Sequence, residues 1–276
     1  MVVNVTQAAK SVYALLLPEV ARAKVRHKRR YLGAVWDHWR YRMRTRDRFL
    51  APPHLRFRVA GGYDIHHFLD NGKQCAEDVN AALQPFGKTV FSFENVLDFG
   101  CGCGRMLRWF ANPPATCHLH GTDIDSDAIA WDRSTFSFAQ FSVNQPLPPL
   151  PHGAGKFDLI YSHSVFTHID EEYQFRWLEE LRRVTKPGGI NLLSVHGKHV
   201  REAKGFTTAM TTELLNKGIL FMQISDPRWN GIFPDFYQKT FHTEEYIRKT
   251  WSRYFEVVNY IERGIGNFQD LVVLRK

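Results

Sequence analysis

The sequence predicts a doubly wound α/β fold, a mostly parallel sheet with helices on both faces. Three observations carry that expectation. Apolar strand-like segments alternate with helix-patterned ones from residue 74 to the carboxyl end, the rhythm that crossover helices impose on parallel strands. A buried-type strand at 95–99 runs into Gly100-Cys101-Gly102-Cys103-Gly104, where glycines let the backbone turn sharply and a ligand approach it closely. The last two strand segments, 254–262 and 267–274, are joined by Arg263-Gly264-Ile265-Gly266, a link that makes them antiparallel neighbours.

The elements follow in order. Residues 1–58 hold two helix-patterned stretches, one within 8–16 and one over 25–49, and Ala51-Pro52-Pro53 closes this section. Gly61-Gly62 opens the body, and 74–84 has helical apolar spacing. The strand at 95–99 and its glycines lead into a predicted helix at 105–111. A strand is expected at 117–122, a helix at 126–135 with Ser126 as its cap, and strands at 140–143 and 157–161. A helix at 171–185, the turn Pro187-Gly188-Gly189 and a strand at 190–195 come next. Residues 197–242 break the rhythm with a mixed insertion, and Thr243 caps a helix over 243–251.

The 276 residues carry a net charge of +8 and are 44% hydrophobic, a globular composition. The charge is unevenly placed. Residues 1–58 hold 14 Lys and Arg against Glu19, Asp37 and Asp47, a net +11; the remaining 22 bases and 25 acids net −3. This divides the chain into a basic helical extension, 1–58, and a nearly neutral body, 59–276. Four cysteines (Cys75, Cys101, Cys103, Cys117) are too few for a disulfide scaffold, and Cys101 and Cys103 are too close for an ordinary CxxC pair. The longest apolar run near the start, Val12 to Leu17, precedes its charges and ends at Pro18, unlike a secretory signal. No run approaches a membrane span. The expected location is cytoplasmic, with a peripheral membrane association as a variant, and no metal site is expected.

The chemistry concentrates after the first strand of the body. Gly100, Gly102 and Gly104 miss the Gly-x-Gly-x-x-Gly spacing of a dinucleotide site, because Arg105 stands at its third glycine. Asp98 would face a pyrophosphate unfavourably and suits a cationic ligand. Asp123 ends the next strand, where a doubly wound fold places a ribose-binding carboxylate. A tight strand–helix turn with no ligand is the competing reading.

Val96-Leu97-Asp98-Phe99-Gly100-Cys101-Gly102-Cys103-Gly104-Arg105, Gly121-Thr122-Asp123-Ile124-Asp125, the segment 157–169 and the segment 181–195 resemble, in order and spacing, four motifs of the class I S-adenosylmethionine-dependent methyltransferases. The likeness covers about 60–276, most securely 90–196, and leaves out 1–58. It implies a Rossmann-like, seven-stranded sheet with an antiparallel last strand. It also implies the cofactor S-adenosyl-L-methionine, its methionine part on Gly100, Gly102 and Gly104 with Asp98 near the ammonium. Asp123 would hold the ribose, Ile124 would lie on the adenine, and Asn144 would meet its amino group. Ser162 would line the methyl end. Cys101 belongs to the same loop, with its side chain and that of Cys103 expected to be small packing groups.

In-line methyl transfer depends on orientation more than on acid–base groups. A base serves an acceptor that loses a proton, and His163 and His168 are the candidates, His168 also being a candidate for orienting the next helix. Asn112-Pro113-Pro114 resembles a motif of amino-methylating nucleic-acid enzymes but lies in the wrong loop, with Ala115 in place of the aromatic. The expected activity is therefore methyl transfer to an O or N acceptor, a small molecule or glycan-like metabolite. Two alternatives stand beside it: a nucleic-acid methyltransferase guided by the basic arm, and a non-catalytic binding module. The insertion supplies Phe206, Arg228, Trp229, Phe233, Phe236, Tyr237, Phe241 and His242 for a lid or for packing, with Tyr237 and His242 as acceptor contacts. Tyr63 and His67 are further lid candidates. The arm leaves four readings open: nucleic acid, an anionic membrane surface, an acidic partner or second subunit, and a solvated helical face.

Overall fold

A computed structural model describes residues 19–223, 234 and 236–276, with side chains from residue 25 onward. The helix expected within 8–16 lies outside the described residues, as do Arg228, Trp229 and Phe233. The chain divides into two compact units, one ending at Ile65 and one beginning at His66.

In the first unit, α1 (Glu19–Thr45) packs against α2 (Pro53–Ala60). The inward side chains of α1 recur at helical spacing: Val25, His27, Tyr31, Ala34, His38 and Tyr41 are the buried or half-buried ones among its described side chains. Pro53 opens α2 without losing a needed donor, and Gly61 ends it at φ 69°. Arg56 is fully buried, donating to the carbonyls of Ala51 (2.7 Å) and Tyr63 (3.0 Å) and to Nδ1 of His38 (3.1 Å). Burial, with Arg56 beside it, lowers the His38 pKa to about 4. Tyr63 stacks on Phe57 at 5.0 Å and meets His27 Nε2 at 3.1 Å, so it is a packing residue of this unit.

The second unit is built on a sheet of β1 (Asn95–Phe99), β2 (His118–Asp123), β3 (Ala139–Val143), β4 (Phe157–Ser162), β5 (Thr185–Val195), β8 (Glu256–Ile265) and β9 (Gln269–Arg275). Their spatial order is β3-β2-β1-β4-β5-β9-β8. The first five are parallel, and β9 is antiparallel to both β5 and β8. This is the doubly wound sheet that the alternation predicts. Successive β1 residues serve opposite faces. Val96 joins one core with Leu119, Leu159, Leu192 and Val273, under α3 (Ile65–Leu83). Leu97 joins the other with Ile160, Leu193 and Val272, under α5 (Glu171–Val184) and α8 (Glu244–Trp251).

The Pro-Gly-Gly turn lies inside β5: the register jumps from Phe157↔Thr185 to Leu159↔Ile190, with Gly188 at φ 76°. The insertion folds as α6 (Lys198–Ala203), α7 (Thr208–Lys217) and an antiparallel pair, β6 (Ile219–Met222) and β7 (Lys239–His242). Val200, Leu214, Leu220 and Phe241 form its own small core, with Phe206 packed against it.

Two local expectations change. The helix expected over 105–111 is only a short 3₁₀ turn, Leu107–Phe110. Gly104 enters the segment in the left-handed conformation, and Met106, Leu107 and Phe110 are spent on the core. The cap of α4 (Ser126–Thr135) is Asp125, not Ser126; its carboxylate accepts from Asp127 N (3.1 Å) and Ala128 N (3.2 Å). Thr243 caps α8 as expected, accepting from Tyr246 N. Among the described residues no helix is long and apolar enough to cross a membrane.

Candidate functional site

The site lies where β1 and β2 end side by side. Gly100, Gly102 and Gly104 are left-handed, at φ 81°, 55° and 68°. A Cβ on Gly100 would run into Val165, and one on Gly104 into Phe136, so space and backbone both require glycine. Gly100 N and Cys101 N donate to the Thr122 carbonyl at 2.8 and 3.0 Å, stitching the loop to β2. Because no α-helix follows the glycines, the anion-binding helix N-terminus of dinucleotide folds is absent from this loop.

Asp123 accepts from Gly102 N at 2.8 Å through Oδ2 and from Asp125 N at 2.8 Å through Oδ1. Each oxygen retains a lone pair, and the carboxylate is only half-buried. Burial raises its pKa, opposed by those backbone donors. Asp98 is 2% exposed; burial pushes its pKa up to about 8, the Asp123 charge adds to the rise, and Tyr161 and Arg105 oppose it. Asp132 is buried too and raised to about 9 by burial and by Asp123. Its Oδ2 receives Cys101 Sγ at 3.7 Å. The four cysteines are buried and form no disulfide, and Cys101 and Cys103 are packed in the interior. Burial and the nearby Asp123 charge hold Asp98 and Asp132 protonated near neutral pH, and a cation bound beside them would favour their ionised forms.

Ile124 is half-buried beside Asp123. Asn144 is buried and engaged, its Oδ1 accepting from Thr122 Oγ1 (3.0 Å) and its Nδ2 donating to the Gln145 carbonyl (2.8 Å). Ser162 is buried with a hydroxyl that bonds to no protein group.

His163 and His168 differ in which nitrogen is free. Arg105 Nη2 donates to His163 Nδ1 at 2.7 Å, so neutral His163 carries its proton on Nε2. Burial, with Arg105 next, holds the His163 pKa well below the ordinary value. His168 Nδ1 donates to the Gln238 carbonyl at 2.6 Å, leaving a lone pair on Nε2, 3.5 Å from Ser164 Oγ. Burial lowers the His168 pKa to about 4. His168 does not cap α5; Asp170 does, accepting from Tyr173 N.

Tyr237 stacks on His168 at 4.1 Å, and burial pushes its hydroxyl pKa up, the Asp123 charge adding to the rise and Arg105 opposing it. The other acceptor candidate is corrected: His242 is 2% exposed, its Nε2 meets Gln174 Oε1 at 3.0 Å, and its ring sits against Tyr246 and Trp251 in the core. Phe206 and Phe241 are likewise core, and Phe236 stacks on Tyr173. Asn112-Pro113-Pro114 is irregular loop, with Asn112 at φ 61°.

The site roles of two residues, Arg105 and Ser164, escaped sequence reasoning. Arg105 also donates to Asn71 Oδ1 at 2.9 Å, and Gly72 lets α3 approach it closely. Ser164 is held at φ 68°, its N donating to Ser194 Oγ (2.7 Å) and its Oγ accepting from Gln269 Nε2 (2.9 Å). Such strain in a non-glycine residue marks functional sites. The only sequence signal was its place just past β4. Among the described residues no group of three His, Cys, Asp or Glu side chains is placed to hold a metal ion.

Residues 97–191 match the family described as a methyltransferase domain. An uncharacterized protein of Rickettsia prowazekii is 31% identical over 103 residues, covering 36% of this chain and 41% of the relative. A probable chloroplastic tocopherol O-methyltransferase of rice, Oryza sativa subsp. japonica, is 28% identical over 168 residues, covering 50% and 46%. The chain thus spans less than half the length of these curated relatives. Among solved structures, the fold is shared with the 1,6-didemethyltoxoflavin-N1-methyltransferase of Burkholderia thailandensis (TM-score 0.52, 14% identity, covering 82% of this chain and 91% of that one). It is also shared with human N-acetylserotonin methyltransferase (TM-score 0.51, 18% identity, covering 81% and 55%).

Proposed function

We propose that the chain, whose residues 97–191 match a methyltransferase-domain family, is a class I S-adenosylmethionine-dependent methyltransferase that binds S-adenosyl-L-methionine at the ends of β1 and β2 and methylates a small-molecule acceptor at oxygen or nitrogen. The observation that carries this reading is the cradle itself: left-handed Gly100, Gly102 and Gly104, with Gly102 N on Asp123 and the buried carboxyl of Asp98 behind. Its chemistry fits the cofactor. The acidic pocket suits a ligand bearing a sulfonium and an ammonium, and the free Ser162 hydroxyl offers one more polar contact.

When bound, the cofactor supplies a methyl group activated on sulfonium sulfur. The residues of the chain bind and orient around it. Asp123 accepts the ribose hydroxyls with its remaining lone pairs, Ile124 offers an apolar surface to the adenine, and Asn144 holds the β2–β3 edge that faces the adenine amino group. Asp98 balances the ammonium. His168 Nε2 is the atom that takes the acceptor's proton, because its other nitrogen is committed to Gln238. His163, whose lone pair is committed to Arg105, donates from Nε2 and positions. Tyr237, stacked on His168, closes the acceptor side.

A small-molecule acceptor is favoured because three of the proteins compared above are named for one: tocopherol, N-acetylserotonin and 1,6-didemethyltoxoflavin. A glycan-like metabolite belongs to the same class. Calorimetric titration with S-adenosyl-L-methionine tests the reading. Binding in the wild type and a loss of about 100-fold in Asp123→Ala are expected, from charged hydrogen bonds of ~1.5–3 kcal/mol each. No binding in the wild type, or undiminished binding in the variant, overturns it. Labelled cofactor with fractionated cell extract then identifies the acceptor by the fraction that takes up label.

A further inference from the structure

The first unit carries a surface that its own packing does not use. On α1, Leu32, Val35, Trp36, Trp39 and Met43 are 58%, 41%, 58%, 54% and 65% exposed. At 3.6 residues per turn they fall within an arc of about 100° and a length of about 17 Å. The opposite arc of α1 is spent inside the unit: Ala34 is buried, His38 meets Arg56, and His27 lies on Phe57. Trp36 and Trp39 stack on each other at 5.4 Å, forming a flat aromatic patch amid the stripe.

Charge frames this stripe on both sides. Arg29 and Arg40 lie about 60–80° round the helix from Leu32 on one side and Arg42 about 80° on the other, with Lys28 one turn before Leu32 at the amino-terminal end of the stripe, all exposed. Asp37, the one acid among the described side chains of α1, lies about 140° away. The stripe is therefore apolar and aromatic at its centre, basic at both rims and free of acids.

We propose that α1 is an interfacial anchor: the Leu32–Met43 stripe seats at the headgroup–acyl boundary of an anionic lipid surface, with Lys28, Arg29, Arg40 and Arg42 on the lipid phosphates. Tryptophan suits that depth because its ring is apolar and its N–H polar, and basic rims draw the helix to anionic headgroups. Nucleic acid fits less well: Trp36 and Trp39 are already stacked on each other, and Leu32, Val35 and Met43 around them bring neither a stacking face nor a donor. A second copy fits less well too, since pairing two such faces brings four cations against four.

The test uses the full chain. Co-sedimentation with vesicles of phosphatidylcholine alone and of phosphatidylcholine with 30% phosphatidylserine is combined with tryptophan quenching by brominated lipid. Expected are at least tenfold tighter partitioning onto the anionic vesicles, weakening at 0.5 M salt, and quenching. In Trp36→Ser/Trp39→Ser partitioning falls at least tenfold with unchanged circular dichroism; these side chains are already in water, so the fold does not depend on them. Arg29→Glu/Arg40→Glu serves as the second variant and loses the preference for phosphatidylserine. Equal or no partitioning on both vesicle types, binding without quenching, or retention on RNA with none on vesicles overturns the proposal. So does self-association in sedimentation that Trp36→Ser/Trp39→Ser abolishes.

Discussion

Arg105 Nη2 donates to Nδ1 of His163 across 2.7 Å, joining the end of the glycine loop to the end of β4. The bond decides the tautomer of His163 and, with burial, keeps the ring neutral. It divides the labour between two histidines that the sequence leaves equivalent.

Replacing Arg105 by Met removes both the donor and the positive charge. The pKa of His163 is expected to rise and its Nδ1 to lose its fixed acceptor state. Side-chain nitrogen shifts across a pH titration read both changes. Methyl transfer is expected to fall about 10–100-fold, the range for a displaced positioning group.

His168→Ala is expected to cost about 10²–10³-fold in kcat, within the range for a general base, with cofactor affinity unchanged by calorimetry. Because His168 titrates near pH 4, the rate is expected to stay flat from pH 8 to pH 6. A loss of rate centred near pH 6.5 would mean that an ordinary histidine is the base, and would remove His168 from the role.

Asp132 is folded with its pKa raised to about 9. A raised carboxyl stabilises the fold fully below its unfolded value near 4, and that stability is lost as pH rises through the folded value. Asp132→Asn keeps the shape and removes the charge. Its melting temperature is expected to gain on wild type as pH rises from 5 to 9, by roughly 3–6 °C at pH 8 for ~1–2 kcal/mol. Comparing the two proteins cancels the opposite trend of the depressed histidines, His38, His120 and His242, which destabilise the fold below pH 6.5.

Gly104→Ala is expected to destabilise the second unit by roughly 2–4 kcal/mol, read by denaturant unfolding. The cost combines a left-handed φ with a clash on Phe136. Gly104→Ala/Phe136→Leu recovers only the clash. Full recovery would show that the backbone conformation costs nothing there.

The sheet, the glycine loop and the two acidic strand ends were legible in the sequence. Those are local matters: a run of Val, Leu and Phe ending in glycines needs no distant partner to read as a buried strand and a turn. The same locality misled at 105–111, where apolar residues at helical spacing pack on the core as a 3₁₀ turn. It also left His242 looking like a site residue, because nothing near it in sequence announces Gln174 and Trp251.

Only the tertiary structure decided which histidine keeps its lone pair. Arg105 and His163 are 58 residues apart, His168 and Gln238 70, Ser164 and Gln269 105. It also decided that one apolar face of α1 is packed and the other open, since periodicity tells that a helix has a face and not what covers it. Pattern records what each residue prefers; hydrogen-bond direction and burial depend on which strands and helices the sheet order brings together.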